Sequence, residues 1–142
     1  MFTLGGVIVG GMLNYVATAV LEKRRAAGAL ITTARIVGEE LGTNAAALTA
    51  LATQRFGLAQ AAPIQFNAWE HYRHVLAEQL PRNDWTLLRD AIRGMRMIEM
   101  ERHQSSATPT RSTGPADSKA LEEVAASACT AVEMLERYAM RS

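Results

Sequence analysis

The chain has one cysteine, Cys129, in 142 residues. A lone thiol cannot close an internal disulfide, so no covalent framework staples the fold. Cys129 sits beside an apolar helical stripe with no base within a turn, which reads as an inert, partly buried small residue. Lysine is nearly missing: only Lys23 and Lys119 occur among 15 basic residues. With the abundance of alanine, this points to a high-GC bacterial genome. Aromatic residues are scarce at 6%. Net charge is close to absent, at a formal +1, which lacks the basic footprint of a nucleic-acid binder. No Gly-x-Ser-x-Gly elbow, Walker loop or dinucleotide fingerprint is present. Gly5-Gly6 and Gly10-Gly11 lack the strand-turn-helix setting in which glycines cradle phosphate. The expectation is a protein that is not an enzyme and uses no cofactor, metal or nucleic acid.

One further absence is local. Residues 2–21, from Phe2 to Leu21, carry no charge, and Glu22-Lys23-Arg24-Arg25 follows at once. A helix of that length spans roughly 30 Å, the hydrocarbon thickness of a bilayer. The basic cluster predicts a single pass with the C-terminal side in the cytoplasm. A cleaved signal peptide is less consistent, because no basic residue precedes Lys23, although Ala17-Thr18-Ala19 resembles a cleavage site. A buried core helix would also be apolar all round, but the amphipathic helices that follow cannot readily wrap one. Gly6, Gly10, Asn14 and Ala17 share one helical face. Small residues let two membrane helices approach closely, and Asn14 can hydrogen-bond across the contact, so these four are the candidate helix-association residues.

What the rest of the chain contains is alanine and helical periodicity. Ala27, Leu30, Ala34, Val37, Leu41, Asn44, Leu48 and Leu51 recur at alternating three and four spacing, a coiled-coil-like seam. The phase does not reset across Gly42-Thr43, which predicts one long helix from about residue 3 to 56, ending at Gly57. Pro63 suits a first helical turn, and Asn67 with Glu70 offers a later capping-box start. Phe66, Trp69, Tyr72, Leu76 and Leu80 form the next apolar face, closed by Pro81. A cap at Asn83 or Asp84 then precedes the stripe Trp85, Leu88, Ile92, Met95 and Ile98. Residues 104–117 are rich in Ser, Thr and Pro without periodicity and read as a flexible linker. Ser118 can cap a last helix with the stripe Leu121, Val124, Ala128, Val132, Leu135 and Ala139.

Two constellations could carry chemistry. Glu70, His74 and Glu78 share a helical face, and Glu99 with His103 lies four apart on the next helix, a spacing able to present metal ligands. The Glu-x-x-His element of di-iron bundles is missing, and the stripe through Trp69 and Leu76 turns those groups toward solvent. Arg89, Arg93 and Arg96 give the following helix a basic flank, and Trp69 and Trp85 read as core anchors.

The segments Trp69-Glu70-His71-Tyr72-Arg73, Leu76-Ala77, Leu80 and Asp84-Trp85-Thr86-Leu87-Leu88 give the chain a resemblance to small membrane-anchored helical proteins of actinobacterial type. Those proteins open with a Gly-rich apolar helix, pass through an Arg-rich cluster into a long helix and carry two tryptophan-containing helices. The resemblance covers roughly residues 2–100. It implies a layout and brings no catalytic residue with it.

The expected fold is all-α: an N-terminal transmembrane helix continuing into a long helix, with a small antiparallel helical bundle. Its expected parts are an anchor over 1–22, a cytoplasmic bundle over 23–103, the linker 104–117 and a docking amphipathic helix over 118–142. The expected role is a single-pass accessory protein of the cytoplasmic membrane, partnered by the membrane and by a second copy or another membrane protein. The alternative is a small holin-like or membrane-active effector that self-associates through its glycine-rich anchor.

Overall fold

The computed structural model describes residues 4–54, 58, 61–107 and 115–140, with side chains of the first helix described from Asn14 onward. It is all-α. Four helices follow in order: α1, Leu4–Gln54; α2, Asn67–Gln79; α3, Arg82–Ala107; and α4, Pro115–Ala139. No strand occurs among the described residues.

α1 is a single helix of 51 residues that runs unbroken through Gly42. Its seam is the one the spacing marks: Ala34, Val37, Leu41, Asn44 and Leu48 are buried, with Leu30 and Leu51 half-buried at the ends. Ala27 is exposed, so burial begins a turn later than the repeat. α4 lies antiparallel along this seam. Gly38 comes close to Leu135, where an added Cβ would sit 3.7 Å from the leucine Cβ, while at the other end the Ser118 hydroxyl donates to the Ala52 carbonyl.

α4 also packs against α3, so it is covered on two sides. This explains why its buried face is broader than the sequence stripe. Ala125, Ala128, Ala131, Met134, Leu135 and Tyr138 are buried, while Val124 and Val132 are only half-buried. Alanine at these positions lets helix backbones approach. Gly94 does the same from α3: a Cβ there would meet the Val124 methyls at 3.2 and 3.4 Å. The core is closed by Leu76 and Leu80 of α2 and its end, and by Leu88, Ile92, Met95 and Ile98 of α3. Tyr138 near the end of α4 donates its hydroxyl to Asp84 in the first turn of α3.

Several helix boundaries differ from expectation for identifiable reasons. α2 begins at Asn67, and no side chain of its own segment caps it. Pro63 lies in an irregular stretch before it. α3 begins at Arg82, with the Trp85 amide bonded to the Pro81 carbonyl, so Asn83 and Asp84 are inside its first turn and do not cap it. The residue before a proline is pushed to extended geometry, and Leu80 adopts φ −81°, ψ 143°, which makes the corner. α3 continues through Ala107, so residues 104–107 are helix where a linker was expected. α4 starts at Pro115, a residue suited to a first turn, which leaves Ser118 to bond α1 instead of capping. Gly57 lies outside the described residues.

Candidate functional site

The two ends of α1 have different surroundings. From Asn14 to Arg25 every side chain is exposed, including Tyr15 at 78%, Val16 at 58% and Leu21 at 54%. The first fully buried residues are Thr33 and Ala34. α1 thus outruns its bundle, projecting roughly 45 Å from Ala34 to its start at 1.5 Å per residue. An isolated helix in water is only marginally stable, and one that exposes Tyr, Val and Leu on several sides is an unusual surface for a water-facing element. Lys23, Arg24 and Arg25 follow on the same free stretch and make no ion pair among the described residues.

No helix is long and apolar enough to cross a membrane among the described residues. The transmembrane part of the expected fold is therefore not among what the structure shows. Asn14–Leu21 alone is shorter than the ~20 residues a spanning helix needs. Of the association residues, Asn14 and Ala17 are exposed on the projecting helix. The side chains at Gly6 and Gly10 lie outside the described residues.

A polar clamp, little foreshadowed by the residue pattern, gathers where α1, α3 and the segment before α2 meet. The Asn44 amide donates to the Gln65 carbonyl at 2.7 Å and accepts from the Gln65 amide at 3.1 Å, copying a backbone pair with one side chain. One turn earlier, the Glu40 carboxylate accepts from the Ala68 and Trp69 amides at 2.8 and 3.0 Å. These are orphan donors at the start of α2, so a carboxylate from α1 supplies the cap. From α3, Glu99 accepts from the Ile64 amide at 3.2 Å. The Arg102 guanidinium, bonded to Glu99 at 2.6 and 3.0 Å, holds that carboxyl below its usual range against the opposing effect of burial. The only sequence signal was Asn44 inside an apolar seam. Glu40 and Glu99 look like solvated charges until the fold brings amides to them.

The residues weighed as metal ligands are dispersed. Glu70 pairs with Arg73 and Arg96, and Arg96 also lies over the Phe66 ring at 5.5 Å. His71 meets Tyr72 edge-on at 4.5 Å, and His74 is exposed. His103 is 3.2 Å from Glu99. Among the described residues no three His, Cys, Asp or Glu gather into a metal-binding group. Trp69 is buried and stacks on half-buried Trp85 with ring centroids 5.5 Å apart and planes at 21°, which ties α2 to α3.

The feature that stands out is thus a surface and not a pocket: an exposed apolar stretch of helix with a basic collar, continuous in one helix with a packed bundle. Compared with protein-family models, curated proteins and solved structures, the chain matches none.

Proposed function

We propose that the protein is a single-pass, membrane-tethered interaction protein whose bundle stands on the cytoplasmic face. The observation that carries this reading is the projecting part of α1. Its exposed Tyr15, Val16, Val20 and Leu21 continue the uncharged run that starts at Phe2, and the collar Lys23-Arg24-Arg25 ends that run abruptly. Hydrocarbon is the surrounding that stabilises such a surface from all sides, and the collar favours the cytoplasmic leaflet. α1 is one helix, so the tether runs into the bundle without an intervening loop. Leu21 and Ala34 are separated by roughly 20 Å of helix, which sets how far the core stands from the hydrocarbon edge. The polar groups of the bundle bond helix ends and connecting backbone, a pattern that favours a scaffold over an enzyme.

Membrane fractionation with alkaline wash tests the tether, and reporter fusions after Ser142 test orientation. The expected result is full-length protein in the washed membrane pellet with activity from a cytoplasmic reporter. Full-length protein in the soluble fraction contradicts the tether, and activity of a periplasmic reporter alone contradicts the orientation.

The second reading, a membrane-active effector, is favoured by Asn14 and Ala17 lying exposed on the free helix in phase with Gly6 and Gly10. It expects toxicity on expression that disappears with Gly6→Leu and Gly10→Leu together.

A further inference from the structure

A groove of about 620 Å³ runs along the outside of the α1–α4 contact. Gly42, Ala46 and Ala50 form its α1 side with Thr49 and Thr53. Both threonine hydroxyls donate to carbonyls of their own helix, at 2.9 Å for Thr49 and 3.0 Å for Thr53, so they offer methyl groups rather than free donors. On the α4 side Val132 continues the apolar lining, and Glu133 and Glu136 rise at one end. The antiparallel arrangement, with Gly38 beside Leu135 and Ala52 beside Ser118, places those carboxylates toward the Gly42 end. Neither makes an ion pair among the described residues.

The chain also carries the complement of this groove. On the outer side of α3, Arg89, Arg93, Met97 and Met100 fall at spacings of four, four and three, a single helical stripe. Met97 is 58% and Met100 60% exposed, unusual for large apolar side chains. Arg93 has no ion pair among the described residues, and Arg89 reaches only its neighbour Asp90, at 3.8 Å. The stripe spans eleven residue steps, roughly 16 Å, and fits within the longer groove that runs from the carboxylates past Gly42 to Thr53. Their orders match as well: arginines then methionines on one, carboxylates then small apolar residues on the other.

We propose that the α1–α4 groove seats the α3 stripe of a second copy of this chain. Arg89 and Arg93 face Glu133 and Glu136, and Met97 and Met100 rest on the adjoining wall beside Gly42, Ala46 and Cys129. Small groove residues let the incoming helix approach closely, and unbranched methionine adapts to a shallow surface. Stripe and groove lie on different helices, so two copies either engage both faces reciprocally as a closed dimer or leave one of each free, which produces a series of oligomers unless a ring closes. Lipid insertion of α1 is not required, so the two proposals fail separately.

The native Cys129 is exposed, not partly buried as its place beside the stripe suggested, because it lies on the open groove side of α4, where it serves as the reporter. Full-length protein carrying Met97→Cys is treated in detergent with a short bifunctional maleimide. The expected result is crosslinked dimer and higher species, absent when Cys129→Ser is added. Arg89→Glu with Arg93→Glu lowers the yield roughly tenfold by setting like charges together. Adding Glu133→Arg with Glu136→Arg restores it, a rescue that misfolding cannot give. Absence of crosslinks while a monofunctional maleimide labels both cysteines overturns the proposal, as does charge reversal without rescue.

Discussion

The two halves of α1 contrast sharply. From Thr33 to Leu48 the helix is held by α4 and α2 and buries about two residues in every turn, whereas from Asn14 to Arg25 it buries none. Both halves are helical and alanine- or valine-rich, so local propensity does not separate them. What separates them is periodicity. The inner half alternates apolar and polar residues with a helical repeat and can satisfy one neighbour. The outer half is apolar on several faces, and no single helix partner can cover it. The difference teaches that the stability of the bundle and the fate of the projecting helix rest on different residues.

The largest expected effect is in the core. Leu41→Ala or Leu135→Ala removes a fully buried side chain between α1 and α4 and should destabilise by about 2–5 kcal/mol. Leu21→Ala, on the projecting half, should leave the melting midpoint of the bundle within experimental error. Denaturant melts of the three variants check the contrast, and equal losses at Leu21 and Leu41 would abolish it.

Next comes the clamp. Glu40→Ala removes the acceptor for two amides at the start of α2, and Asn44→Ala leaves a buried site unfilled and the Gln65 backbone unbonded. Each should cost about 1–3 kcal/mol. Hydrogen exchange should show faster opening of α2 in both variants, with α4 less affected.

Glu99 gives a pH effect. Its carboxyl titrates below the ordinary range in the fold because Arg102 bonds its ionised form. A lowered folded value means the contribution is complete above the unfolded carboxylate range, about pH 4.3, and is lost as pH falls through the lower folded value. Midpoints measured from pH 6 to 3 should fall less steeply for Glu99→Gln than for the parent chain.

The smallest effects separate two glycines inside helices. Gly42 has nothing within 4 Å of an added Cβ, so Gly42→Ala should stabilise by up to about 1 kcal/mol through helix propensity alone. Gly94→Ala gains the same propensity but presses on Val124, and should gain less or nothing. Paired thermal melts decide the order.

How much was legible in the sequence follows from the range of each interaction. The α1 seam and the stripes of α2 and α3 could be read because a repeat of apolar residues is local information. Asn44 could be noticed because amides inside such a seam are uncommon. The caps could not be placed. Asn67, Asn83 and Ser118 are good cap residues in isolation, yet Glu40 from another helix caps α2, the Pro81 carbonyl accepts the Trp85 amide at the start of α3 and Ser118 bonds Ala52. The buried face of α4 was misjudged for a similar reason, since two-sided packing selects alanines that no apolar stripe singles out. The groove between α1 and α4 carries no motif and emerges only when helices are set side by side.

Thiol accessibility along α1 tests the central claim most directly. With Cys129 replaced by serine, single cysteines are placed at Val16, Val20 and Ala29 of the full chain in membrane vesicles open on the cytoplasmic side. A polar maleimide should label Ala29→Cys at once and reach Val16→Cys and Val20→Cys only after detergent is added. Equal labelling at all three positions before detergent would mean that the projecting helix stands in water, and that the account of it as a tether is wrong.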